Sequence, residues 1–323
     1  MVRVCVVDNP HSFRGPYPLD RVAPILASAG WETRVRNRAP GQSTRRLVDA
    51  ALQEGCELIV AAGGDGTLRD VAHALAGRGV PLGVLPGGTV NLWAQELGIP
   101  ARPEAAARAL IDSDVRLADV GRVHLPDGHF ARFLLIAGLG LDGLALALTD
   151  ARLKRVTGTL AIALGTLRAA HVFSPLRVAV EVDGRPFWEG AAWQVIVANA
   201  RRYAGVFQVR RDALIDDGML DVTIVPAAGW QDAARLAGSL ALYRSPDPRV
   251  APHRRGATIA VTADRPVPLE LDGSPAGRAQ VASAGAGTHV LRVEPRSLPV
   301  LVPRGYAGDL FGAGVLERGA PTG

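Results

Sequence analysis

Two glycine-rich segments of the sequence carry residue types that bind phosphate. The first is Gly63–Thr67 (GGDGT), and the second is Pro86–Asn91 (PGGTVN). Each follows a short apolar run and precedes a helical pattern, so each is expected in a turn from a strand into a helix. Glycine lets a ligand approach backbone N–H groups closely, and the N-terminus of a helix attracts an anion. The sequence therefore predicts phosphate binding at both turns.

Asp65 is the acidic residue of these segments, and its position needs an explanation. A bare carboxylate repels phosphate, but it can hold a magnesium ion or receive a proton from a hydroxyl group. The alternative is an ordinary strand–helix turn in which Asp65 caps the helix. The segments match neither the Walker loop nor the dinucleotide pattern G-x-G-x-x-G, so the choice between these roles stays open.

The first 100 residues alternate between strand and helix patterns, which predicts a doubly wound, mainly parallel sheet. Strands are expected at Val2–Val7, Trp31–Val35, Leu58–Ala62 and Val80–Leu85, and helices at Asp20–Ala29, Ser43–Gly55, Thr67–Ala76 and Val90–Leu97. The carboxyl ends of parallel strands lie at one edge of a sheet, where ligands bind. We therefore expect the two glycine segments to converge there with Asn9 and Ser12, which follow the first strand.

After about Arg116 the pattern changes to that of an antiparallel, sandwich-like domain with helices packed on it. Pro126–Gly128 and Asp183-Gly184 each separate apolar or alternating runs, which is typical of a hairpin turn. Helical segments are expected over Leu144–Val172 and Trp230–Leu242, and the glycine-rich tail from Tyr306 is expected to be partly loose.

Composition supports a two-domain enzyme and excludes several other classes. The chain has 323 residues, 48% of them apolar and 21% charged, with a net charge of +5. The two cysteines, Cys5 and Cys56, cannot form a disulfide framework and are expected to be buried thiols. The longest apolar stretch, Phe133–Leu148, is interrupted by glycines and is too short to span a bilayer. We expect a cytoplasmic protein, and no nucleic-acid motif is present.

The motifs resemble those of the diacylglycerol kinase catalytic domain family, which includes bacterial soluble lipid kinases and sphingosine kinases. The glycine segments are similar to the two nucleotide-site motifs of that family, and Asn9–Ser12 resembles its N-P-x-S-G opening. Segments that resemble later family motifs follow in order: Ala137–Asp142, Val197–Asn199, Ala213–Asp221, Leu269–Gly273 and Val293–Pro303.

The resemblance implies a kinase that uses ATP and Mg²⁺. Its α/β nucleotide domain would span residues 1–120, with about 299–320 returning to it, and its β-rich lipid-substrate domain would span 121–298. The residues that would line the nucleotide are Asn9, Ser12, Gly63, Gly64, Gly66, Thr67, Gly88, Thr89 and Asn91.

The resemblance also assigns roles to four aspartates. Asp65 and Asp272 would be catalytic, with Asp65 at the reacting centre, and Asp142 would face the substrate hydroxyl or head group. Asp217, with nearby backbone carbonyls, would hold a structural magnesium ion. The alternative for Asp217 is a plain hairpin turn before the strand that follows it.

The implied reaction is transfer of the γ-phosphoryl group of ATP to the hydroxyl of a diacylglycerol-like lipid, in phospholipid metabolism. Ser274 stands where the family has a glutamate, and Asp65 or Glu270 would have to compensate for that loss. One alternative is therefore a lipid- or nucleotide-binding regulator with weakened catalysis, and another is a small-molecule kinase similar to NAD kinase. The lipid would come from the inner membrane face by peripheral contact, with Leu141–Val172 lining a cleft for its acyl chains or forming an ordinary core layer. The oligomeric state is left open.

Overall fold

The computed structural model describes residues 1–10, 16–125, 128–149, 168–169, 171–203, 207–208, 210, 212–227, 247–275, 283–284 and 287–312. The chain divides into two compact units. The first unit contains Met1–Val120 and the segment from Pro295 onward, and the second contains Gly121–Glu294. Chain connections between them run through two long strands, β5 (Ser113–His124) and β18 (Gly287–Pro303).

The first unit is built on a parallel sheet. Its strands are β1 (Val2–Asp8), β2 (Trp31–Asn37), β3 (Leu58–Gly63), β4 (Leu82–Pro86) and the last part of β18. They lie in the order β2-β1-β3-β4-β18, and every neighbouring pair is parallel. β3 is buried along its whole length, as expected for a strand that is covered on both faces.

Helices connect the strands of the first unit. They are α1 (Leu19–Ser28), α2 (Thr44–Gln53), α3 (Asp65–Leu75), α4 (Leu92–Glu96) and α5 (Pro103–Ile111). α1 packs beside α5, and α2 packs beside α3. The predicted alternation of strands and helices is confirmed, and several boundaries are shifted by one or two residues. α3 begins two residues earlier than expected, at Asp65, and α4 begins two residues later, because Asn91 has a left-handed backbone (φ 54°).

The second unit is an antiparallel assembly. Its further strands are β6 (Phe130–Phe133), β7 (Ile136–Gly140), β8 (Leu176–Val182), β9 (Arg185–Ala198), β10 (Arg202–Tyr203), β11 (Phe207–Gln208), β12 (Leu220–Pro226), β13 (His253–Gly256), β14 (Thr258–Ala263), β15 (Val267–Leu271), β16 (Ser274–Pro275) and β17 (Ser283–Ala284). The helix α6 (Leu141–Leu148) packs on β15, β7 and β9.

Tight turns set the register of this unit. Asp183 and Gly184 both have positive φ (50° and 73°) and join β8 to β9 as the predicted two-residue hairpin. Valine, leucine and isoleucine from alternate positions of these strands form a continuous core that includes Val195, Val197 and Leu271. The predicted fold class, a parallel nucleotide-type domain followed by an antiparallel β-sandwich-like domain, is confirmed.

Burial confirms the prediction for the two cysteines and describes the first part of the tail. Cys5 and Cys56 are free, buried thiols, and burial raises the pKa of Cys5 to about 12. In the tail from Tyr306, which was predicted to be partly loose, Leu310 and Phe311 are buried and the N–H of Leu310 donates to the Tyr306 hydroxyl. The predicted helix Trp230–Leu242 and most of the predicted segment Leu141–Val172 lie outside the described residues.

Candidate functional site

The two glycine segments form adjacent turns at the carboxyl edge of the first sheet. We call residues 63–67 glycine loop 1 and residues 87–91 glycine loop 2. Gly63 pairs with Pro86 at the ends of β3 and β4, and the N–H of Gly87 donates to the carbonyl of Gly63 over 2.7 Å. The predicted convergence of these two loops is therefore observed.

The loops meet so closely that side chains are excluded between them. A Cβ atom added to Gly88 would lie 2.6 Å from the Cα of Gly64, and one added to Gly64 would lie 3.1 Å from the Cα of Gly88. Gly63 has φ +155°, and a Cβ there would lie 2.7 Å from Oγ1 of Thr67. The result is a surface of backbone atoms at the start of α3, which is the type of surface that approaches phosphate closely.

Asp65 links glycine loop 1 to α4. Its Oδ1 accepts a hydrogen bond from the N–H of Trp93 over 3.3 Å. Burial raises the pKa of this carboxyl group, and hydrogen bonds from backbone N–H groups at the start of α4 partly oppose the rise. Asp65 thus anchors the N-terminus of α4. The alternative drawn from the sequence was that Asp65 caps the helix directly after its own loop, which is α3.

Asn9 and Thr67 are brought together beside the loops. The Asn9 side chain donates to Oγ1 of Thr67 over 3.4 Å, while the Asn9 N–H donates to the carbonyl of Ala62. This contact ties the end of β1 to glycine loop 1. Ser12, the other residue expected after β1, lies outside the described residues.

Asn91 shapes glycine loop 2 from within. Its Oδ1 accepts from the N–H of Gly88 over 2.8 Å, and its Nδ2 donates to the carbonyl of Gly88 over 2.9 Å. Both polar atoms of the Asn91 amide therefore contact the backbone of their own loop, and its place among the residues that line the nucleotide stays a prediction. Thr89, at the tip of the same loop, is exposed.

Sequence analysis missed Asp8 and Tyr17 at the same edge. Asp8 ends β1, is buried, and accepts a hydrogen bond from the N–H of Tyr17, and burial raises its pKa. The Tyr17 ring packs against Gly87, and within the described residues its buried hydroxyl has no hydrogen-bond partner. The position of Asp8 at the end of an apolar strand was the signal that could have identified it.

In the second unit, Asp142 lies at the N-terminus of α6. Its backbone N–H donates to Oε1 of Gln194 over 3.0 Å. Its Oδ2 is buried without a partner among the described residues, and burial raises its pKa to about 7. A carboxyl group with this pKa is present in both protonation states near neutral pH.

Asp272, predicted to be catalytic, also has a structural environment, and its catalytic role stays a prediction. It lies in a tight turn with φ 50°, is 4% exposed, and accepts hydrogen bonds from three consecutive backbone N–H groups, those of Leu134, Leu135 and Ile136, over 2.8–3.0 Å. Asn199 reinforces the same segment by donating to the carbonyl of Leu134 over 2.8 Å. With both carboxylate oxygens engaged, Asp272 is positioned to hold the start of β7.

Glu270 does not lie where the missing glutamate would. Leu271 and Ser274 are directly paired across the turn, so they share one face of the hairpin, and Glu270 points to the opposite face. The suggestion that Glu270 replaces a carboxylate at position 274 is therefore not supported. Its Oε2 instead accepts from the N–H of Gly273 over 2.8 Å.

Both carboxylate oxygens of Asp217, the residue predicted to hold a structural magnesium ion, have partners within the protein. Its Oδ2 forms an ion pair with Arg255, and its Oδ1 accepts from the N–H of Met219 over 3.0 Å. Arg255 also lies 3.4 Å from buried Asp221, whose pKa burial raises to about 6 against the opposing effect of the arginines. Within the described residues no group of three acidic, histidine or cysteine side chains is placed to hold a metal ion. The hydrogen bond from the Met219 N–H is compatible with the alternative of a turn before β12, and the guanidinium of Arg255 neutralises the Asp217 carboxylate.

Comparison with known proteins identifies the class. The profile of the diacylglycerol kinase catalytic domain matches residues 3–123, and that of the YegS C-terminal NAD kinase beta sandwich-like domain matches residues 136–302. A protein of Pseudomonas fluorescens is 35% identical over 77% of this chain and 81% of its own length. One of Pseudomonas aeruginosa PAO1 is 40% identical over 66% of this chain and 68% of its own. Both are named "Probable lipid kinase YegS-like", and the chain belongs to this YegS-like family of the diacylglycerol kinase class.

Solved structures share the fold. A diacylglycerol kinase from Bacillus anthracis is 22% identical and superimposes with a TM-score of 0.73 over 94% of this chain and 97% of its own. An NAD kinase from Archaeoglobus fulgidus in complex with ATP is 17% identical, with a TM-score of 0.52 over 94% of both chains.

Among the described residues, no helix has both the length and the hydropathy needed to cross a bilayer.

Proposed function

We propose that this protein transfers the γ-phosphoryl group of ATP to the hydroxyl group of a lipid, with a diacylglycerol-like lipid as the acceptor. The proposal has two supports, membership of a family of probable lipid kinases and the geometry of the first unit. The observation that carries it is the backbone contact between the two glycine loops at the carboxyl edge of a parallel sheet.

The first unit would bind ATP through backbone groups. Glycine loop 1 opens α3, an 11-residue helix whose N-terminal N–H groups and dipole favour a phosphate. Gly64 and Gly88 leave no side chain between phosphate and backbone, and the Asn9–Thr67 contact would hold the loop in position. Magnesium, when bound with ATP, would neutralise phosphate charge, and Asp65 is the carboxylate of these loops that could hold it or its water.

The second unit would bind the lipid acceptor at Asp142. Its carboxyl group has a pKa near 7 because of burial, so at neutral pH it can accept a proton from a hydroxyl or donate one. The acceptor would be taken from the surface of the inner membrane by peripheral contact, for which a net charge of +5 is favourable toward anionic lipid.

The test is incubation of the full chain with labelled ATP, Mg²⁺ and a panel of lipids, with NAD as a separate acceptor. Labelled lipid is the expected product. Labelled NAD without labelled lipid would favour the NAD-kinase-like alternative. ATP binding without transfer to any acceptor would favour the regulatory alternative that Ser274 raised.

Asp65→Asn separates the two roles of Asp65. Asparagine keeps an oxygen that can accept from the N–H of Trp93 but loses the negative charge. If the charge acts at the reacting centre, turnover falls by about 10²–10⁴-fold while the melting temperature stays near that of the wild type. Equal turnover of the two proteins would limit Asp65 to anchoring α4.

A further inference from the structure

Gln194 is a buried polar side chain, and neither the packing of the fold nor the sequence motifs explain why it is there. It lies on β9, is 4% exposed, and points away from the hydrophobic core, since its neighbours Val195 and Val197 belong to that core. Glu270, 2% exposed, alternates in the same way on β15 between Leu269 and Leu271. Both therefore lie on the face of the second unit's sheet that α6 covers.

These two side chains converge above a glycine. Gly138 lies on β7, between β15 and β9. A Cβ atom on Gly138 would lie 2.7 Å from Nε2 of Gln194 and 2.9 Å from Oε1 of Glu270. Because glycine supplies no side chain, the two polar groups occupy the space directly over the strand.

Asp142 is the third residue of this cluster, in which one donor group and one acceptor atom have no hydrogen-bond partner among the described residues. Gln194 uses its Oε1 to accept the backbone N–H of Asp142, which leaves its amide NH₂ group directed to nothing within the described residues. The Asp142 Oδ2 is also buried and unpartnered there, although the residue as a whole is only partly buried. Buried polar groups in folded proteins almost always have partners, so a donor and an acceptor left together point to an external one.

We propose that Gln194, with Asp142 and Glu270, forms a subsite for an uncharged alcohol group, in which Gln194 determines specificity. A hydroxyl oxygen would accept from the Gln194 amide, and its O–H would donate to the Asp142 carboxylate. A phosphate would be repelled by the two acids, and an ammonium group would leave the Gln194 donor unsatisfied. The inference rests on the proposed lipid kinase function and narrows its acceptors to neutral hydroxyl lipids.

Gln194→Glu is the informative variant. Glutamate keeps the acceptor for the Asp142 N–H, so a purely structural role of Gln194 is preserved, but above its pKa it cannot donate to a ligand. We expect the KM for a neutral lipid alcohol to rise about tenfold at pH 8 with a smaller change in kcat. The KM should recover toward that of the wild type at pH 6, where a buried glutamic acid is protonated and can donate again. Glu189→Gln, on the exposed part of β9, is the matched control and should change neither.

Binding of dioctanoylglycerol, measured by calorimetry without ATP, makes the subsite testable apart from catalysis. Weaker binding to Gln194→Glu than to the wild type would support the subsite even if no lipid were phosphorylated. A folded variant with unchanged KM and unchanged binding would overturn it. A lower melting temperature of the variant with unchanged lipid binding would also overturn the subsite, because it would show that a bound water is the sole occupant. A preference of the wild type for amino-alcohol or anionic acceptors would overturn it as well.

Discussion

In the first unit the glycine loops meet through backbone atoms alone, with Gly87 donating to Gly63, whereas in the second unit Asp272 uses its carboxylate to hold three backbone amides. In the first case Gly64 and Gly88 have no side chain, because a Cβ on either would crowd the backbone of the other loop. In the second case the motif residue keeps a charge, because buried N–H groups need an acceptor. Two motifs that are equally recognisable in a sequence can therefore have different physical reasons. In the first unit the reason is close approach of backbone atoms, and in the second unit it is stabilisation of a buried segment.

The largest effect is expected from filling the contact between the glycine loops. Gly88→Ala would place a Cβ 2.6 Å from the Cα of Gly64, and this nearest obstacle is backbone, which cannot move aside as the end of a flexible side chain could. We expect ATP binding to weaken sharply and lipid phosphorylation to fall about 100-fold, because small displacements of a phosphate site are costly. Gly305→Ala, where no atom lies within 4 Å, is the control and should be neutral. Normal ATP affinity in folded Gly88→Ala would contradict the importance of this contact.

Asp272→Ala tests whether the second unit's motif is structural. We expect the free energy of unfolding to drop by about 3 kcal/mol, since three buried N–H groups lose a charged acceptor. Asp183→Ala is the matched control, because Asp183 has the same φ of 50° in the same type of turn but holds the Thr258 N–H at an exposed position. Its cost should be about 1 kcal/mol in chemical denaturation. Equal stability losses, or loss of turnover in Asp272→Ala without loss of stability, would restore a catalytic interpretation.

Arg255→Ala tests whether Asp217 is neutralised by a guanidinium group or by a metal ion. Arg255 forms ion pairs with Asp217 and Asp221, so we expect its removal to destabilise the protein by about 1 kcal/mol, a figure kept small by the partial exposure of Arg255. The wild-type melting temperature should be unchanged by EDTA or by added Mg²⁺. A lower wild-type melting temperature in EDTA would show that a metal site exists beside Asp217 after all.

A further effect concerns how the stability of the protein depends on pH through Asp142. Its pKa is raised from 3.8 to about 7 in the folded state, so the folded protein binds this proton more tightly than the unfolded chain does. The stability that this proton contributes to the free energy of unfolding is therefore fully present below about pH 4 and is lost as the pH rises from about 4 to 7. In Asp142→Asn this decline should be absent, and the difference between the two unfolding free energies should change across that range. Parallel curves for the two proteins would contradict the burial of this group.

Local patterns were sufficient for the elements and for the place of the glycine loops. β3 and β4 were recognisable as short apolar runs, and Asp183-Gly184 as a hairpin turn, since each depends on neighbours in the chain. Parallel topology then placed the two glycine loops at one edge without any further information. The start of α4 was missed because it depends on the left-handed backbone of Asn91 and on a hydrogen bond from Trp93 to Asp65, 28 residues away.

The roles of the acidic motif residues could not be obtained in this way. The partners of Asp272 lie 136 to 138 residues earlier in the chain, and Arg255 lies 38 residues from Asp217. A carboxylate in a motif has the same spacing whether it faces a ligand or a distant backbone amide. Gln194 gave no signal at all, because one glutamine in an apolar strand does not reveal which face it occupies.

The sequence by itself determined where the chain turns without side chains, because glycine conformation and strand–helix alternation are local properties. Only the tertiary structure decided which charges are left for chemistry, because a carboxylate is committed by the partners that folding brings to it from distant parts of the chain. Asp272 and Asp217 are committed to an amide segment and to a guanidinium, while Asp142 keeps a buried oxygen without a partner in the described part of the chain.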